Sequence, residues 1–311
     1  MPETRFGLVG RALFSNRLNG VMRICLMLEG QEGIEWEQWL ALARRAEAAE
    51  LDGLFRSDHY RSILRGDPAG SLDAWLTLAA IAARTERIRL GTMVSPVTFR
   101  SASVLAKSVV TVDHISSGRV ELGIGAGWYQ AEHDAYGFPF LTVRERLDEL
   151  DRQLAEIERQ WTEATDVWPK PVQTPRPWII VGGSAKPRTV GAAVRFADEY
   201  NTVFPSLEEA GARRRILDEA ASAAGREPLR FSIMTGCVVG RDEREVSDRL
   251  RIWQDLVGNN ERPPLLGTVE QVAETLHRYQ EVGVERAMLQ HMHHEDLEMV
   301  TLLGELAAAL A

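Results

Sequence analysis

Ser57-Asp58-His59-Tyr60 is a stretch whose residue types could move a proton. An imidazole with an ordinary pKa of about 6.5 exchanges protons at neutral pH. His59 follows a strand-like run, and Asp58 could orient its ring. A loop histidine bonded to backbone, with Asp58 capping the next turn, would give the same pattern. Gly123-Ile124-Gly125-Ala126-Gly127-Trp128 follows a second such run. Glycines let backbone N–H groups approach an anion closely, but a tight turn needs them equally, and the spacing is not that of the dinucleotide fingerprint. Gly182-Gly183-Ser184 precedes a helix-like run starting near Lys186. Helix-terminal N–H groups, the Ser184 hydroxyl and the charges of Lys186 and Arg188 would suit a phosphate; a helix cap with surface cations is the plainer alternative. A side chain at Gly183 is expected to block that approach more than it destabilises the fold. His291, His293 and His294 cluster in a polar stretch. No nearby Cys completes a zinc pattern, so a solvated or pocket-rim cluster is expected and no metal site. Cys25 and Cys237 sit in apolar runs without a neighbouring histidine or base, as small core residues would.

These stretches share a position in a repeated grammar. Arg87–Arg100 shows it best: a strand-like run ends in a Ser-Pro turn and a helical run follows. Short runs rich in branched residues predict strands at Arg23–Leu28, Gly53–Ser57, Ile88–Val94, Val120–Gly125, Trp178–Val181, Glu199–Phe204, Phe231–Val239 and Arg286–Gln290. Helical periodicity fills the intervals: Ile34–Leu51, Leu72–Ala83, Ser101–Ile115, Val143–Trp161, Lys186–Ala197, Leu207–Ala223, Glu243–Leu256, Thr268–Val282 and Leu297–Leu310. Ser71 and Thr268 read as helix N-caps, the latter with Gln271 in capping-box spacing. The proline-rich segment from Trp168 to Pro177 cannot be helical. Alternation of this kind means a parallel sheet, and eight units favour a closed (β/α)8 TIM barrel of the α/β class. In such barrels the loops after the strands carry the chemistry.

The bulk properties agree. A chain of 311 residues with 45% hydrophobic content suits one large domain, here residues 22–311, with residues 1–21 an N-terminal extension ahead of Met22. A net charge of −9 argues against a nucleic-acid binder. No apolar run reaches the roughly 18 residues of a membrane span, and no secretory signal is evident. A reducing, cytoplasmic setting, a small-molecule substrate and a homodimeric assembly are expected.

Taken in order, the motifs resemble the luciferase-like monooxygenase superfamily, and within it the coenzyme F420-dependent oxidoreductase branch. The resemblance is carried by Met22-Arg23-Ile24, Glu29–Gly33, Phe55–His59, Arg87–Arg100, Ala106-Lys107, Thr111–Gly123, Gly125–Trp128, Glu132-His133, Ala135–Gly137, Lys170–Gln173, Ile180–Ser184 and Ala197–Asn201. It is close over roughly residues 22–205 and weaker beyond. It implies a barrel whose top face holds a deazaflavin or flavin, with His59 near the reactive ring as acid or base. A non-prolyl cis peptide at Met93-Val94 would buttress the ring. Gly125-Ala126-Gly127 and Gly182-Gly183-Ser184 would contact the ribityl and phosphate portions, and Asp58 belongs to the same cofactor-binding set. Two departures stand out. Trp128 occupies the place where some relatives carry a glutamate acid, and is expected to shape the pocket or stack in it. The segment between Trp161 and Trp168 is shorter than the one that often helps form a lid in relatives, which implies a more open pocket or one shaped for an unusual substrate. The implied reaction is hydride transfer between coenzyme F420 and a small organic substrate. An FMN-dependent monooxygenase using oxygen and a non-catalytic cofactor carrier are the alternatives.

Overall fold

A computed structural model describes residues 21–64, 69–258 and 261–311. The expected extension therefore lies, but for Val21, outside the described residues. Ten strands form one sheet. They are β1 (Arg23–Leu28), β2 (Gly53–Arg56), β3 (Arg89–Thr92), β4 (Ser95–Pro96), β5 (Val120–Gly125), β6 (Trp178–Gly182), β7 (Glu199–Val203), β8 (Arg230–Gly240), β9 (Leu265–Thr268) and β10 (Arg286–Gln290). Every pairing among them is parallel, and β10 bonds to both β1 and β8. That contact closes a barrel of eight strands, with β4 and β9 attached outside the ring.

The helices are α1 (Trp36–Ala48), α2 (Ala74–Ala82), α3 (Ala102–Ser116), α4 (Gln130–Tyr136), α5 (Val143–Glu158), α6 (Pro187–Phe196), α7 (Leu207–Ala223), α8 (Glu243–Val257), α9 (Val269–Glu281) and α10 (Leu297–Ala309). Thr268 caps α9 with Gln271 as expected. At α2 the cap is Asp73 rather than Ser71: its carboxylate accepts the Leu76 amide, while the Ser71 hydroxyl takes a hydrogen bond from Arg56. The short strand β9 and the polar helix α4 lie outside the expected elements, whereas β8 runs one residue beyond the expected Phe231–Val239 at each end. Beyond Gly236, where its pairing with β10 ends, β8 continues against β9 and raises one wall above the rim.

The barrel interior is layered. At the end where the strands begin, Arg286 is fully buried between Glu121 (2.6 Å) and Glu199 (2.7 Å), with Asp52 at 3.4 Å. Arg89 also bonds Glu121. Burial favours the neutral acid at both glutamates, but Arg286 and Arg89 override it at Glu121 and hold that carboxyl far below its ordinary range. Glu199 is left above it. Above this layer pack Cys25, Met27, Phe55, Ile180 and Met288, then Met93 and Met234 under the opposite rim. Cys25 and Cys237 are both buried and unbridged.

Candidate active site

At the C-terminal ends of the strands the barrel opens into a cavity of about 750 Å³, within the ~300–1,000 Å³ usual for small-molecule sites. His59 lies on its wall, in the loop after β2. Its Nδ1 is 2.9 Å from Oε2 of Glu132, a buried residue of α4. An ionised carboxylate only accepts, so Nδ1 carries the proton and Nε2 is left toward the cavity. The other Glu132 oxygen accepts the amides of Tyr60 and Arg61 (3.1 Å), which fixes the loop just after His59. Burial works against a charged ring at His59. The hydrogen bond and charge of Glu132, with Glu29 and Asp58 behind them, outweigh it and raise the imidazole pKa above its ordinary value.

Asp58 does not orient the ring. Its Oδ2 accepts Ser95 Oγ at 2.7 Å and Arg100 at 2.6 Å, and Arg100 reaches on to Asp73 at 2.5 Å. Its other oxygen, Oδ1, is buried with no partner among the described residues. Asp58 thus ties the His59 loop to β4 and the segment that follows it, and is not part of the cavity wall. That orienting role falls to Glu132, which the sequence places in a motif but not in a pair, because α4 lacks the apolar stripe that announces a helix.

The chain leaves β3 through a cis peptide at Met93-Val94, as the resemblance implied, and both side chains line the cavity. This bulge explains the glycines differently from an anion cradle. A Cβ at Gly125 would lie 2.7 Å from Val94 Cγ2, one at Gly182 3.3 Å from Val94 Cγ1, and one at Gly123 would strike the Thr92 carbonyl. Gly125 and Gly182 are bare to make room for Val94, and Gly123 for the Thr92 carbonyl. Of the stretch after β5, Gly127 and Trp128 line the cavity while Gly125 and Ala126 do not. Trp128 is 61% exposed and stands edge-on to His59, ring centres 5.8 Å apart; it is a rim residue.

Gly182 and Gly183 line the cavity and Ser184 does not. Two of the amides expected to meet a phosphate are already bonded: Gly183 N–H to the Asn201 carbonyl (3.0 Å) and Ala185 N–H to the Tyr200 hydroxyl (2.9 Å). Arg188 is drawn to Asp148 (2.7 Å) and Asp151 (3.4 Å) on α5, so Lys186 and Ser184, both exposed, are what remains for an anion. A Cβ at Gly183 would sit 2.5 Å from Tyr200 Oη and 3.0 Å from Thr189 Oγ1. Substitution there disturbs packing as well as any ligand, which corrects the sequence expectation.

The histidine cluster is also corrected. His291 and His294 are buried, not solvated. His291 and His293 face a small separate cavity beside Arg249 and Asp296, and burial pushes the His291 pKa down to about 4. Among the described residues no three His, Cys, Asp or Glu side chains are placed to hold a metal ion. No helix among them is long and apolar enough to cross a membrane.

Residues that the sequence places in motifs without assigning them a role complete the wall. Glu29 accepts Gln31 (2.8 Å) and Gln290 (2.7 Å). Glu32 accepts the Ser62 hydroxyl (2.7 Å) and the Ile63 amide (2.9 Å). Asn201 donates to Ser232 at 2.9 Å, and its buried Oδ1 has no partner among the described residues.

Known proteins share the fold and stretches of the sequence. The chain is 32% identical over 196 residues to an uncharacterised protein of Mycobacterium tuberculosis, covering 60% of this chain and 67% of that one. It is 31% identical to an F420-dependent glucose-6-phosphate dehydrogenase of Amycolatopsis mediterranei, over 49% of each chain. It is 27% identical to an FMNH2-dependent dimethylsulfone monooxygenase of Pseudomonas putida, over 53% of this chain and 48% of that one. An F420-dependent secondary alcohol dehydrogenase, solved with an F420-acetone adduct, superposes with a TM-score of 0.77 at 18% identity, covering 94% of this chain and 99% of that one. The model of the luciferase-like monooxygenase family matches residues 22–300. Barrel, rim cavity and sequence agree, and the chain belongs to the luciferase-like monooxygenase family.

Proposed function

We propose that the chain is a deazaflavin-dependent oxidoreductase that moves a hydride between coenzyme F420 and a small organic substrate. The observation that carries this reading is His59, biased toward its protonated form by a buried carboxylate and presented to a cavity floored by Met93 and Val94. The residues present suit a flat heterocycle: Val94 offers an apolar surface, and the orphaned Asn201 Oδ1 suits a ring N–H. Met93, Val94, Gly182, Gly183 and Asn201 would hold the ring. When bound, the deazaflavin supplies or takes the hydride; the protein orients it and handles the proton. A hydride added to a carbonyl or imine carbon leaves an oxygen or nitrogen that needs a proton, and His59 Nε2 delivers it. In the reverse direction Nε2 takes the hydroxyl proton of an alcohol. Glu132 holds the ring through Nδ1 in both protonation states.

Titration of the purified protein with F420 and with FMN, followed by absorbance and fluorescence, tests this. Saturable F420 binding, with reoxidation of the reduced cofactor by an unsaturated substrate, is expected. Binding of FMN alone, with substrate-dependent oxygen uptake, would assign the chain to the monooxygenase reaction. Tight binding without turnover would make it a carrier.

A further inference from the structure

We propose that the substrate of this site is an apolar, ring-sized molecule, neutral or cationic and not an anion; this rests on reading the cavity as an oxidoreductase site. Most of the large apolar side chains of the described residues are buried, yet Ile63, Leu64, Trp128, Val203 and Phe204 are exposed and all line this one cavity. Exposed apolar groups gathered on a concave surface mark a place that something covers. Phe204 adds an independent observation. Its φ is 44°, a left-handed conformation that is strained for a bulky residue. Its amide donates to the Met234 carbonyl at 2.8 Å, which holds the backbone there while the ring stays 46% exposed. Strain of this kind gathers at ligand clamps.

The charge on the wall sets the second half of the proposal. Three carboxylates, Glu29, Glu32 and Glu261, line the cavity against two side chains that carry positive charge, the protonated His59 and Arg262, the latter its only lysine or arginine among the described residues. An anion brought out of water against these carboxylates is repelled. A sugar phosphate needs a set of cations that this wall does not present.

A series with one ring and three charges tests this: naphthyl methyl ketone, naphthylmethylamine and naphthoate, measured by equilibrium dialysis on the folded protein, with and without saturating F420. The ketone and the amine are expected to bind more tightly than naphthoate by about tenfold or more. Phe204→Gly suits the left-handed backbone, so it should keep or raise the melting temperature while ketone affinity falls by about tenfold. Preferential binding of naphthoate or of a hexose phosphate, no binding of the ketone, or unchanged affinity in Phe204→Gly would each overturn the proposal. A chain that binds neither F420 nor FMN yet still sorts the three probes would refute the proposed reaction and leave this selectivity standing.

Discussion

The two ends of the barrel use similar residues to opposite effect. Where the strands begin, Arg286, Glu121, Glu199 and Asp52 are turned on one another inside the ring, and Arg89 bonds Glu121 from beside them. Where the strands end, Glu132 holds His59, Asp58 keeps one oxygen without a partner, and Asn201 does the same beside a cavity. Charge at the first end is neutralised locally and keeps the fold. At the second end the polar groups are satisfied only in part: among the described residues Asn201 keeps a free oxygen beside the cavity, and Asp58 keeps one behind its wall. Buried charge is therefore not a mark of function by itself; the mark is an unsatisfied remainder that faces a space.

The largest effect is expected at the closed end. Arg286→Met would strand Glu121 and Glu199 without their shared cation, and breaking a buried ion pair in this way costs about 3–5 kcal/mol. Urea unfolding reads this directly, and a midpoint equal to wild type would show that the layer contributes nothing. At the open end His59→Ala is expected to lower turnover by about 10²–10⁴-fold, with cofactor affinity and melting temperature largely kept. Unaltered turnover would make His59 a packing residue and return the proton to water.

Glu132→Gln sharpens the contrast, because the amide still bonds the ring but removes its charge. His59 titrates above the ordinary imidazole value, so the protonated fraction, and the limb of the pH–rate profile it governs, should give way only above pH ~6.5. Losing the Glu132 charge lowers that pKa, so the limb moves toward lower pH. A stationary limb would show that another group titrates.

The smallest effect is expected at Gly183. Gly183→Ala brings a methyl against Tyr200 Oη, and overpacking of this kind costs about 1–3 kcal/mol. Adding Tyr200→Phe removes the obstructing oxygen and should recover part of that loss. Strict additivity in a double-mutant cycle would contradict the contact.

The barrel was legible from its sequence because buried parallel strands advertise themselves as short branched runs between helical periods. Ile88–Val94 was read two residues too long at its end because the chain turns out of the ladder at Met93, which periodicity does not register. β9 and α4 were missed for lack of length and of an apolar stripe, and with α4 went the partner of His59. The glycines are visible in the sequence and their purpose is not, since the atoms they clear, those of Thr92 and Val94, lie at the end of β3 and in the turn beyond it, distant in sequence. Asp58 was assigned to its sequence neighbour when its partners were Ser95 and Arg100. Pairing across the rim is a property of three dimensions, and residue types alone do not encode it.

Val94 also governs the order in which this sequence can change. A methyl at position 125 is barred by Cγ2 of Val94 at 2.7 Å and one at position 182 is crowded by Cγ1 at 3.3 Å. Trimming Val94 to alanine removes both obstacles, since only the γ carbons stand in the way. Gly123 stays fixed, because its obstacle is a backbone carbonyl. A lineage, or an engineer, that shrinks position 94 first can then diversify positions 125 and 182. One that starts at position 125 must displace Val94, and one that starts at position 182 needs Val94 to give a little, so the easier history at this rim trims position 94 first.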